Sequence, residues 1–143
     1  MSQTKIRQAL QTPLVAFASS KNLKVAWENI NFDPAGKSYL RAFLFRSPTQ
    51  DPSIGAIHKR YKGIFRVQWM VSLTDSAYAN KGAEVIEALA EEIVALYPRG
   101  LQLTKDGVVV HIEGTPSQSS ISYDSAWAIV TIETIYRTDI ITN

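Results

Sequence analysis

Few residues of this chain are of a type and spacing that could do chemistry. Its two histidines, His58 and His111, are not joined by a His-x-x-x-His or His-Glu-x-x-His spacing. Zinc needs three or more converging protein ligands, so His111, set between Val110 and Ile112, reads as a sheet-face residue with a polar tip. Glu91 and Glu92 are adjacent carboxylates, but neighbours on a helix diverge by about 100° around its axis. Acid-base work on one bond requires two groups that converge. The stretch Ala35-Gly36-Lys37-Ser38 looks like the end of a phosphate-binding loop, yet Asn31 stands where that motif needs its first glycine. A strand, not a helix, is expected after it. No Gly-x-Ser-x-Gly elbow occurs, and serines gather instead between Ser117 and Ser125. Catalysis therefore has no candidate constellation, and no metal or cofactor is expected.

Two charged features survive this filter. One is the basic run His58-Lys59-Arg60-Tyr61-Lys62, which reads either as a solvated hairpin tip or as a contact segment. The other is the row Glu84, Glu87, Glu91. Opposite charges on separate elements of a small domain suit pairing across a repeated head-to-tail interface. Bulk charge adds nothing to either, because 15 Lys and Arg against 13 Asp and Glu leave a net charge of only +2. Any electrostatic role must be local. The absence of cysteine excludes thiol catalysis, iron-sulfur clusters and cysteine-based zinc sites. The start, Met1 to Gln8, lacks the apolar stretch of a secretory signal, and no apolar run is long enough to span a membrane. A soluble protein made in a cytoplasm is expected.

The elements that must position these residues follow from periodicity. With 143 residues and 45% hydrophobic content, one domain with one core is expected over 1–143. Ile6, Leu10, Leu14 and Phe17 recur at helical spacing over Ser2 to Ser19, with Pro13 predicting a kink or break. Leu23 to Ile30 reads as a strand that stops at the turn residues Asn31 to Gly36. Tyr39 to Phe45 carries apolar groups on both faces and reads as a central strand. Ser47 to Gly63, rich in Pro, Gly and charge, reads as a long loop ending in the basic run. Phe65, Val67, Trp69, Val71 and Leu73 then alternate along a strand that should pair with Tyr39 to Phe45 as a hairpin. Thr74-Asp75-Ser76 offers capping oxygens to a helix whose apolar stripe is Val85, Ile86, Leu89, Ile93 and Leu96, with the glutamate row outside. Pro98 and Gly100 end it. Val108 to Ile112 and a last long strand around Ala128 to Tyr136 complete the order. The expected fold is α+β, a mainly antiparallel sheet of about five strands with two helices on one face.

In order and spacing these pieces resemble the bacteriophage tail-terminator proteins. The resemblance rests on Ile6-Arg7-Gln8-Ala9-Leu10, on Val25-Ala26-Trp27-Glu28-Asn29 with Phe32 and Pro34, and on Tyr39-Leu40-Arg41. It continues through Arg60 to Val67, Leu96-Tyr97-Pro98-Arg99-Gly100-Leu101 with Leu103-Thr104, and Trp127 with Ile135 to Ile140. It implies a virion structural protein that forms a ring, a hexamer in the well-known members, on the end of the tail tube. Such a ring stops tube polymerisation and joins tail to head. The implied partners are other copies of the chain, the tail tube protein and the head-tail connector protein, with DNA passing through the ring without specific binding and no membrane involved. The implied place is the head-proximal end of the tail, after assembly in the host cytoplasm. No catalytic residue is carried over. The alternatives are a neck or connector completion protein, a nucleic-acid-binding module using the basic run, and an enzyme. His58, Lys59, Arg60 and Lys62, with Glu84, Glu87 and Glu91, are the candidate interface residues.

Overall fold

A computed structural model describes residues 2–52 and 57–142. The chain runs through α1 (Ser2–Ser20), β1 (Val25–Ala26), β2 (Tyr39–Arg46), β3 (Ile57–Ser72) and α2 (Ala83–Val94). It continues through β4 (Gln102–Lys105), β5 (Val108–Ile112), β6 (Ser117–Gln118), β7 (Ser122–Asp124) and β8 (Trp127–Thr142). The spine is the antiparallel pair β3 and β8, in register from Ile57 opposite Thr142 to Ser72 opposite Trp127. Strict alternation explains it. Phe65, Val67, Trp69 and Val71 bury one face of β3, and Ala128, Val130, Ile132 and Tyr136 bury the matching face of β8.

The sheet order is β1-β2-β3-β8-β5-β4, with β6 and β7 also pairing to β8. The α+β class stands, but the described residues form a sheet of eight strands instead of about five, and it is mixed because β1 runs parallel to β2. The added strands are short. β4 is one arm of a hairpin whose turn residues, Asp106 and Gly107, both have positive φ, as a primed two-residue turn demands. Both helices pack on the same sheet face. Trp69 donates its indole N–H to the Ile86 carbonyl of α2 at 3.2 Å. Tyr97 meets Phe65 edge-on, and its hydroxyl donates to the Leu10 carbonyl of α1 at 2.6 Å.

Other expectations are corrected. Pro13 does not break α1, which is continuous over 19 residues, because Ile6, Leu10, Leu14 and Phe17 are buried on both sides of it. The run from Leu23 to Ile30 shrinks to the two residues of β1, since Asn29 takes positive φ and turns the chain away. β2 is not central. Beyond β1 its outer edge is open, and the Leu44 N–H is met by the Glu28 carboxylate at 2.7 Å, itself held by Arg7 at 3.0 Å. Thr74 to Ser76 do not cap α2, whose N-cap is Gly82. Asp75 turns instead to the backbone N–H groups of Ser38 and Ala77. Val85 is exposed and leaves the apolar stripe to Ile86, Leu89, Ala90 and Ile93.

The long loop is the largest correction. His58 to Lys62 lie in β3, paired to β8, and Gln50 folds back to exchange backbone hydrogen bonds with Arg60. Only 53–56, inside that expected loop, lie outside the described residues. The strand escaped notice because Ile57 to Lys62 extends past the core, so neither of its faces shows an apolar period.

Candidate assembly interface

Register places the basic run on two faces. Gly63, Phe65 and Val67 point to the core, so Lys59 and Tyr61 share that side, whereas His58, Arg60 and Lys62 lie on the outer face, which no helix among the described residues covers. The run is therefore not one patch. On the outer face Asp139 gathers three side chains: His58 Nε2 and Arg60 Nε each lie 2.8 Å from Oδ1, and Arg137 Nε lies 3.0 Å from Oδ2. Arg137 also pairs with Glu113 at 3.2 Å. Burial works to raise the Asp139 carboxyl. The hydrogen bonds from Arg60 and His58 and the charges of Arg60 and Arg137 outweigh it and hold the group below its ordinary value.

Further along the same face, Arg66 donates through Nε and Nη2 to Glu133 at 3.0 and 2.8 Å, with its guanidinium 4.6 Å above the Phe45 ring. Arg41 donates to the neutral side-chain oxygen of Gln68 and sits over Phe43. Among these charges lie Phe43, Phe45, Ile64 and Ile135. Ile135, inside the long strand β8, is 51% exposed, and Phe45, near the open edge of β2, is 46% exposed. Ile64 and Ile135 also floor a hollow of about 150 Å³. These residues were missed because apolar groups on both sides of β2 imitate a strand buried on both faces. The signal was the alternation of Arg41, Phe43 and Phe45 itself.

Glu84, Glu87 and Glu91 are all exposed on α2 and border a shallow depression of about 250 Å³ with Ala88. Glu92 turns aside to Lys21 at 3.1 Å. The helices cover the opposite side of the sheet from His58, Arg60 and Lys62. The acidic row and the basic residues are thus not brought together within one subunit.

The lookalike motifs resolve into ordinary structure. Ala35 and Gly36 form a turn of positive φ, and the Ser38 N–H donates to Asp75 at 3.0 Å, a carboxylate where a phosphate loop would need an open donor. His111 stands on the outer face opposite Arg137. Among the described residues no group of His, Asp and Glu could hold a metal ion, and no helix is long and apolar enough to cross a membrane. A hollow of about 480 Å³ beside α1, lined by Arg7, Trp27, Glu28 and Ile30, holds one ion pair and no converging carboxylates.

Comparison with known proteins gives two findings. A family model described as phage tail terminator protein matches residues 5–136. One solved structure is similar over 100% of this chain and 99% of its own, with a TM-score of 0.80 and 28% identity. No curated protein matches.

Proposed function

The chain belongs to the phage tail terminator family, and from that premise we propose that it forms a closed ring on the end of the tail tube, stops tube growth and helps join tail to head. Membership makes it a structural protein of the phage tail, located in the virion. The ring, its hexameric number, its contacts with the tail tube protein and the head connector, and assembly in the host cytoplasm are the finer parts of the proposal. So is the extent of the functional domain, taken as 1–143.

The family match carries the reading, and the architecture supports it. One sheet face is left without a helix and carries half-exposed aromatic and aliphatic groups, as a surface made for a neighbour does. The nucleic-acid alternative loses its main support, because His58 and Arg60 are already engaged by Asp139. DNA is expected to pass without tight grip.

Electron microscopy of the purified protein with isolated tail tubes is the test. A ring of copies on one tube end, with tube lengthening halted, is expected. A single asymmetric copy at that end, or continued growth of tubes saturated with the protein, would overturn the reading.

A further inference from the structure

We infer that the uncovered outer face of the sheet receives the acidic face of α2 from a second copy of this chain, head to tail around the proposed ring, an inference that rests on the ring reading. The receiving face is built from Lys62 and Arg66 on β3, Arg41 on β2, and the apolar strip of Phe45, Ile64 and Ile135 among them. Its charge is left incomplete by its own subunit. Glu113, Glu133 and Asp139 are taken up by Arg137, Arg66, Arg60 and His58. Arg41 is bonded only to a neutral oxygen, and Lys62 makes no ion pair among the described residues. Lys62 moreover stands directly opposite Arg137 in the strand register. Like charges so placed destabilise a sheet, and an incoming carboxylate would relieve them.

The acidic row has the reciprocal deficit. Glu84, Glu87 and Glu91 make no ion pair among the described residues, and like charges at this helical spacing weaken a helix. The dimensions agree. Glu84 to Glu91 spans about 10 Å along the helix axis, and Lys62 to Arg66 spans about 13 Å along the strand. Ala88, small and central in the row, lets the helix surface approach the apolar strip closely.

Because the two faces lie on opposite sides of the domain, neither can satisfy the other within one subunit. A contact between unlike faces is heterologous and repeats from copy to copy, which closes as a ring when the rotation permits. A nucleic acid is the weaker occupant of this face. Half-exposed Phe45 and Ile135 have no counterpart on a phosphate backbone.

The experiment uses two full-length variants. One carries Glu87→Lys and Glu91→Lys. The other carries Arg41→Glu and Lys62→Glu, which breaks no ion pair of the subunit. Each alone is expected to lose ring formation on tail tubes by at least tenfold. An equimolar mixture is expected to recover it, because an alternating ring restores opposite charges at every contact, and native mass spectrometry should read that alternation. Rings from either variant alone at wild-type level, or no recovery on mixing, overturn the inference while the ring reading stands. So does a sheet-face variant that assembles normally but loses salt-sensitive affinity for duplex DNA. If the wild type itself forms no ring, the ring reading fails, and sedimentation at low salt still decides the contact. Larger species in the mixture than in either variant alone would uphold it, and their absence would sink it.

Discussion

A side chain at position 63 has nowhere to go. A Cβ there would lie 2.3 Å from the Phe45 carbonyl oxygen and 2.6 Å from the Tyr136 hydroxyl, and both neighbours belong to strands paired with β3. Gly63→Ala must therefore push β2 or the buried Tyr136 ring aside. A loss of about 1–3 kcal/mol is expected, the usual cost of overpacking, and denaturant unfolding measures it. An unchanged midpoint would show that the three strands yield freely. Asp139 sets a dependence on pH. Its carboxyl titrates below the ordinary value, so the unfolded chain takes up the proton first. The stability it contributes is complete above an aspartate's usual pKa of about 3.9 and is lost as pH falls through the lower folded value. Asp139→Asn should lower the melting temperature at neutral pH and flatten its decline in acid. Glu28 and Asp75 are lowered as well, so some decline will remain. A variant with the wild-type acid profile would show that the Asp139 cluster adds nothing to stability.

At the scale of elements, α1 survives a proline in its interior, and Tyr97 bears on why. Pro13 offers no N–H to the Ala9 carbonyl one turn back, and in the same turn the Leu10 carbonyl accepts the buried Tyr97 hydroxyl. Burial drives that hydroxyl well above the ordinary tyrosine value, so it stays a donor at every physiological pH. Tyr97→Phe is expected to cost about 1–3 kcal/mol, as removal of one partner in a buried hydrogen bond does. Loosened amide exchange should appear around Leu10 to Leu14, and a loss spread evenly over the domain would argue against a local brace. This bond joins residues far apart in the chain, and no local pattern announces it. Both helices were legible because Ile6, Leu10 and Leu14, and then Ile86, Leu89 and Ile93, repeat at the period their burial requires. The hairpin of β2 with β3 was legible for the same reason at period two. The outer reach of β3 was not, because a strand that leaves the core loses the contrast between its faces. The acidic row could be read from helical spacing alone. Of the cations proposed to meet it, Lys62 was legible within the basic run, but Arg41 was not, since β2 resembles a strand buried on both sides until the missing second helix layer is seen.

For the molecule as a whole, the two-layer design divides the surface into an acidic helix side and a basic, partly apolar sheet side. Charges at such a contact act mainly on approach, and salt shortens their range from about 10 Å at 0.1 M to about 3 Å at 1 M. Assembly of the proposed ring, followed by light scattering, should therefore slow several-fold over that range, while rings already formed are expected to dissociate at nearly the same rate. An equal effect on both rates would place the charges in the buried centre of the contact. The Glu28 carboxylate on the Leu44 N–H has a different bearing. An unpaired strand edge is a template on which another chain can lay its own strand, and repeated additions make fibrils. A negative charge occupying one of the donors of that edge makes such additions costly. If subunits wait for a tube end as proposed, such an edge would spare them a competing and irreversible fate while they accumulate.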